Sequence, residues 1–373
     1  MMVHDKNDPN YRQCSLSVMD NIADPDITFD ENGICNYYHE YLQAEKQLVL
    51  KGESGERKYT EIIAQIKTDG KGKKYDCILG VSGGVDSTYL SYLAKQAGLR
   101  VLCVHFDNGW NSELAVKNIQ NIVEKCGFDL YTYVIDWEEF KDIQLSYFKA
   151  NVIDIEAITD IAISNVVNRI AAEKKIKHVL SGDNVVTEFT LPQAWICKNT
   201  SNLMSIQKVF GTTKLKKYPL THPVFRRIYA RTTKLEVWKP LNLLIYNKKD
   251  VKVIIEKELN WVDYGGKHYE SVFTRFYQGY ILPTKFKVDK RKAHLSNLIF
   301  SGQLNKEDAI KALEAEIYPS TLFNKDLDFV LKKLNFSYES FEFYINAPSV
   351  SHQEFSSSLR ITDELKLYYS VFK

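Results

Sequence analysis

The chain has 373 residues, 45% of them hydrophobic and 26% charged, so it is too apolar for a disordered polymer and long enough for one large domain with appendages or for two. A formal net charge of +2 without a long polybasic run argues against a dedicated nucleic-acid surface. The opening residues are polar and no apolar run approaches the ~20 residues that span a bilayer; no membrane insertion, a cytoplasmic setting and free cysteines are therefore expected.

The first 50 residues are turn-rich and carry Cys14 and Cys35. A polar stretch with one helix over 59–66 leads into a segment of changed period. Short apolar runs at 75–81, 100–106, 129–135 and 178–181 read as buried strands, with Cys77 and Cys103 packing inside them as small hydrophobes. Helical patterns at 87–97, 112–125, 137–150 and 159–174 separate these runs. Ser112 is placed as an N-cap and Gly127 as a C-terminal stop. Strand–helix alternation predicts an α/β fold with an open parallel sheet. Residues 184–239 are basic and irregular, and 241–259 turn helical. Aromatic residues at helical spacing fill 269–280, and the remainder reads as helices with loops.

Ligands in an open parallel sheet sit beyond the carboxyl ends of the strands. After the first strand stands Gly80-Val81-Ser82-Gly83-Gly84-Val85-Asp86-Ser87, opening a helix. Backbone N–H groups at a helix start form an anion site, and paired glycines let the backbone approach phosphate closely. Ser82 and Ser87 add hydroxyl donors. Asp86 is negative and unsuited to phosphate itself; its task is to hold Mg²⁺. Neither a Walker A loop nor a G-x-G-x-x-G fingerprint is present. Residues 80–84 also fit the G-x-S-x-G hydrolase elbow, with His268 and His294 available as partners, but that reading leaves Asp86 and Ser87 without a role. Phe106 and Asp107 follow the second strand, and Ser181, Gly182 and Asp183 follow the fourth; both stretches also make ordinary turns.

SGGVDS after a buried strand resembles the PP-loop ATP pyrophosphatases. The resemblance implies that Val81, Ser82, Gly83, Gly84, Asp86, Ser87, Ser181 and Gly182 surround ATP, that Phe106 and Asp107 line its nucleoside, and that Asp183 joins Asp86 at Mg²⁺. A narrower resemblance runs through residues 19–36, the loop, VHFDNGWNSELAVKNI, 264–286 and DKRKAHLS, and is to the bacterial N-acetyl sugar amidotransferases. It implies conversion of an acetamido to an acetamidino group through an O-adenylyl imidate, for lipopolysaccharide or O-antigen sugars. Lys285, Lys290, Arg291 and Lys292 are then candidate cations for the phosphorus transition state, with Lys285 placed as catalytic. Lys267, His268 and Arg275 are candidates for holding the sugar's carboxylate or diphosphate. Relatives often carry two Cys-x-x-Cys pairs near the N-terminus, whereas here the pairs read Cys14-x-x-Ser17 and Cys35-x-x-Tyr38, so no zinc site is expected unless His39 or His4 compensates.

The expected organisation is a degenerate zinc-ribbon-like module over 1–50, a PP-loop ATP domain over 51–240 and a mostly helical substrate region over 241–373. No cysteine sits on a strand-to-helix elbow, so ammonia is expected from a separate glutaminase subunit. Two rivals are a tRNA-modifying PP-loop thiolase or ligase and a nucleotide sensor without turnover; intact carboxylates at 86 and 183 weigh against the sensor.

Overall fold

The computed structural model of the chain describes residues 9–220, 235–266 and 269–355. Among them, five parallel strands form a sheet in the order β3-β2-β1-β4-β5: β1 Cys77–Gly80, β2 Val101–Asp107, β3 Asp129–Val134, β4 His178–Leu180 and β5 Glu236–Trp238. Cys77, Ile78 and Leu79 of the central strand are fully buried because helices cover both faces. On one face, α2 Glu53–Asp69, α3 Val85–Gln96 and α4 Glu113–Cys126 pack Ile62, Ile66, Leu90, Ala94, Ile119 and Ile122 against Leu79 and Cys103. On the other, α6 Ala157–Glu173 lays Val166, Ile170 and Ala171 on Ile78, Leu102 and Val104.

Local chemistry set the expected boundaries well. Ser112 caps α4 by accepting from Ala115 N, and Gly127 ends it in the left-handed region at φ +69°. The predicted helix at 137–150 forms as α5 Trp137–Ala150, capped by Asp136. The segment 184–239 is less irregular than expected. It holds α7 Val185–Glu188, α8 Thr200–Phe210 and the edge strand β5. That strand is only three residues long and has no alternating pattern, so it left no periodic signal.

The reversal of strand order between β1 and its neighbours β2 and β4 opens a crevice above the carboxyl ends of these three strands. Helix Lys248–Leu259 packs on α3 beside this crevice, with Val251 and Ile255 sharing a buried cluster with Tyr89 and with Trp261 of the following loop.

The N-terminal module folds onto the C-terminal helices and shares one core with them. Its turns bring Cys14, Ser17 and Cys35 together: Cys35 N donates to Cys14 Sγ at 3.2 Å, and Ser17 Oγ lies 3.9 Å from Cys35 Sγ. Tyr38 packs its ring on Phe300, and His39 turns away to pair with Asp30 at 2.9 Å. His4 lies outside the described residues. Lys292, from helix Arg291–Phe300, is buried against Asp20 of the module.

Candidate functional site

The loop between β1 and α3 takes its shape from Gly83, at φ +81°; a Cβ there would stand 2.9 Å from both Ala115 O and Tyr264 Oη. Its carbonyl is held from above by Trp261 Nε1 at 2.8 Å and by the Tyr264 hydroxyl. Gly84 then caps α3, and its carbonyl accepts from Thr88 Oγ1 at 2.7 Å and Ser87 Oγ at 3.2 Å. Ser82 Oγ accepts from Gly84 N at 3.2 Å. The result is an amide-lined turn at a helix start, a local geometry suited to phosphate oxygens.

Asp86 projects from the first turn of α3. Its Oδ1 accepts from the Tyr246 hydroxyl, and its Oδ2 lies 3.7 Å from Lys248 Nζ. Burial, and then the carboxylates of Asp86 and Glu188, push the Tyr246 hydroxyl well above its ordinary value. Glu188 lines the same cavity as Asp86. Gly182 presses against the base of this group: a Cβ there would lie 3.3 Å from Asp86 Cβ.

The end of β2 supplies the next wall. His105 Nδ1 lies 3.0 Å from Val81 O, and its Nε2 is 3.1 Å from Asn111 Nδ2. Since Asn111 Nδ2 can only donate, the geometry assigns the proton to Nδ1 and leaves Nε2 the acceptor. Phe106 stacks on Tyr133 at 5.8 Å between ring centroids.

These residues enclose a cavity of about 780 Å³, lined by Val81, Ser82, Gly84, Asp86, Ser87, Phe106, Ser181, Gly182 and Asp183 among others. Most of the sequence-derived nucleotide set is thus assembled in one place. Asp107 is a correction: its Oδ1 accepts from Gly109 N at 2.8 Å and Asn111 Nδ2 at 3.0 Å, so it shapes its own turn, and Asn108 and Asn111 line the cavity instead. Asp183 lines both cavities, 70% exposed and 3.4 Å from Lys239 Nζ, and Glu188 is a second carboxylate lining both.

A second cavity, of about 1350 Å³, opens off the first, and Thr159, Asp183, Glu188, Glu270, Thr274 and His294 line both. Its far wall contains Asp154, Glu156, Lys198, Tyr277, Gln278 and Lys290. A π-helical turn, Tyr277–Ile281, faces it, a distortion that recurs at functional sites. Glu156 accepts there from Thr274 Oγ1 at 2.5 Å and Gln278 Nε2 at 3.2 Å. Asp154 is almost wholly buried, and burial pushes its carboxyl up to about 6.

The basic cluster is the main correction. Lys285 does not reach either cavity: its Nζ donates at 2.6 Å to Tyr344 O and to Ala347 O, closing the end of helix Tyr338–Asn346 over the Tyr344 ring. Burial lowers its ammonium to about 8. Arg291 binds Asp289 and the carbonyls of Leu313 and Ala315 at the end of helix Lys306–Glu314, and Lys292 is buried with Asp20. Helix C-termini attract cations as phosphates do, so sequence alone does not separate the two uses. Arg275 lines the second cavity, but its Nε and Nη2 form a two-pronged pair with buried Asp326 at 2.6 and 2.7 Å. Lys267 and His268 lie outside the described residues. Among the described residues, the lysines that line the loop cavity are Lys248, Lys249 and Lys252, from a helix to which the sequence assigned no role.

Residues 76–214 match the family model described as queuosine biosynthesis protein QueC, and residues 270–366 match that described as LPS biosynthesis protein WbpG-like, C-terminal domain. Over residues 76–214 the chain carries a domain of the PP-loop type. It couples a PP-loop domain to a WbpG-like C-terminal domain. A tRNA(Ile)-lysidine synthase of Chlamydia pneumoniae is 37% identical over 76 residues, which is 19% of this chain and 23% of that protein's length. An uncharacterized protein of Methanocaldococcus jannaschii is 24% identical over 281 residues, 73% of this chain and 84% of that one. Similar solved structures include an NMN synthetase from Francisella tularensis, with 13% identity and a TM-score of 0.29 over 54% of this chain and 94% of that one. An NH3-dependent NAD synthetase from Campylobacter jejuni has 14% identity and a TM-score of 0.30 over 55% and 93%.

For a PP-loop protein, the lysines above the loop make a direct prediction. Lys248→Ala is expected to weaken ATP binding about 10- to 100-fold, the size of one charge-assisted contact. Calorimetric titration with Mg·ATP checks this, and an unchanged affinity would remove Lys248 from the phosphate site.

Proposed function

We propose that the chain is an ATP-dependent amidotransferase that converts an acetamido group of a sugar or nucleotide sugar to an acetamidino group, releasing AMP and pyrophosphate. The observation that carries this is the pair of joined cavities: the loop site shares lining residues with a larger chamber, to which the WbpG-like region contributes Glu270, Thr274, Arg275, Gln278, Lys290 and His294. An ATP α-phosphate over the loop amides would meet an amide oxygen presented from that chamber. The family description, an LPS biosynthesis protein, supports a sugar as acceptor.

An amide oxygen is a poor leaving group, and transfer of AMP onto it makes it a good one. Loop amides and Lys248 would bind the departing pyrophosphate. Asp86 and Glu188 both line the loop cavity and would hold Mg²⁺, which takes one or two protein carboxylates and completes its shell with phosphates and water. When bound, Mg²⁺ would neutralise charge on the pyrophosphate. Ammonia would come from a separate glutaminase subunit, because Ser82, not a cysteine, occupies the strand-to-helix turn.

Incubation with labelled ATP, Mg²⁺, ammonium and free or UDP-linked N-acetylhexosamines is expected to give AMP, pyrophosphate and a product heavier in nitrogen by one amidine. ADP and phosphate would overturn the reading. The lysidine synthase match motivates a tRNA arm in the same assay; AMP release that depends on tRNA and ignores sugars would favour that second reading.

A further inference from the structure

The proposed reaction sheds a proton that no residue assigned so far receives. The amide oxygen takes AMP while the amide nitrogen keeps its hydrogen, so the activated group is a cationic imidate. Ammonia forms the new C–N bond with its lone pair, leaving a positive nitrogen on a tetrahedral carbon. The C–O electron pair then departs with AMP, and the product is an amidinium ion. Unless the added nitrogen first gives up one proton, departure of AMP would create a dication.

The reacting carbon belongs at the junction of the two cavities, since phosphate comes from one and the amide from the other. Among the described residues, four groups there can accept a proton: Asp183, Glu188, Glu270 and His294. Asp183 is exposed and paired with Lys239. Glu188 lines the loop cavity with Asp86, where the two would hold the metal. His294 Nδ1 lies 3.3 Å from Thr187 O, beside Glu188 at the end of β4. Glu270 is half-buried on a different wall, the one joined to the end of β2. Ser112 N donates to its carbonyl at 2.8 Å, Asn111 and Ser271 form an antiparallel bridge, and Ser271 caps the helix that follows. Its Oε1 stands 3.9 Å from the point where a Cβ on Gly84 would lie, so a rigidly placed carboxylate looks across the phosphate loop.

We infer that Glu270 is a catalytic residue that accepts the proton from the nitrogen of the ammonia adduct; the inference rests on the amidotransferase reading. The test compares full-length wild type with Glu270→Gln. Its readouts are Mg·ATP affinity, exchange of labelled pyrophosphate into ATP driven by the N-acetylhexosamine panel, and amidine formation from ammonium. Glu270→Gln is expected to bind Mg·ATP within about threefold of wild type and to keep sugar-dependent exchange, while amidine formation falls by about 10²- to 10⁴-fold, the usual size of a general-base contribution. Hydroxylamine, whose adduct nitrogen is far more acidic than that of ammonia, should recover a larger share of the rate. Glu270→Asp keeps a withdrawn carboxylate and should show the same split at about 10- to 100-fold. An undiminished amidine rate, exchange falling in step with amidine, or Mg·ATP binding weakened tenfold or more would each overturn the assignment. A wild-type chain that makes no amidine from any sugar fails the proposed function itself, and the role of Glu270 falls with it.

Discussion

Asp86→Asn is expected to lower AMP and pyrophosphate release by about 10³-fold or more, because a lost metal carboxylate forfeits several kcal/mol of charge stabilisation and each decade is worth 1.36 kcal/mol. Asparagine has nearly the same shape and can still accept the Tyr246 hydroxyl bond made to Oδ1. What it loses is the charge facing Lys248. A purely structural account predicts a different outcome. Asp86 sits in the first turn of α3, where a negative charge favours the helix dipole, and neutralising it there costs about 0.3–1 kcal/mol. Thermal unfolding should therefore shift only slightly while turnover collapses. A variant that retains more than a tenth of wild-type turnover with normal stability would take Asp86 out of the chemistry. Glu188→Gln should behave alike if the two carboxylates serve one ion, whereas Asp183→Asn should have the smaller effect, since Asp183 is exposed and paired with Lys239.

The part of this site legible in the sequence is the part built locally. Gly83, Gly84, Asp86 and Ser87 follow one strand within a few residues, and the anion geometry is a property of that short segment. Ser112 and Gly127 were legible for the same reason, since caps act over one turn. The contacts that close the site are long-range: Tyr246 reaches Asp86 across 160 residues, and Trp261 and Tyr264 reach Gly83 across 178 and 181. No periodicity announces such contacts, so Tyr246, Lys248, Glu188 and Glu270 emerged only from the fold. The resemblance put Asp107 at the nucleoside, but Asp-Asn-Gly is also an ordinary turn, and the Asp107 carboxylate closes that turn. Lys285 misled for a related reason, because the carbonyls of Tyr344 and Ala347 attract an ammonium as well as a phosphate would.

Lys292→Met is expected to lower the stability of the chain by about 3–5 kcal/mol, the cost of leaving one member of a buried ion pair alone. Both side chains are out of solvent, Lys292 at 1% and Asp20 at 0% exposure. Asp20 also accepts from Ala23 N at 3.0 Å and from the Tyr11 hydroxyl at 3.1 Å, so its carboxylate is fixed and cannot swing to water when the lysine is removed. The pair joins the N-terminal module to helix Arg291–Phe300, next to the 3.2 Å bond from Val18 N to Ser296 Oγ. The same helix carries Asn297, which accepts from Thr190 N at 2.7 Å and donates to the carbonyls of Val185 and Val186 at 3.0 and 2.7 Å. The module is thereby tied, through one helix, to the turn after β4 and to His294 at the cavity junction. In the double variant Asp20→Asn/Lys292→Met the stranded charge is gone, so part of the loss should return, with a coupling of about 0.5–3 kcal/mol between the two sites. Urea unfolding of the two single variants and the double variant measures this cycle. A Lys292→Met chain within about 1 kcal/mol of wild type, or a cycle with no coupling, would mean that the pair does not hold the module in place.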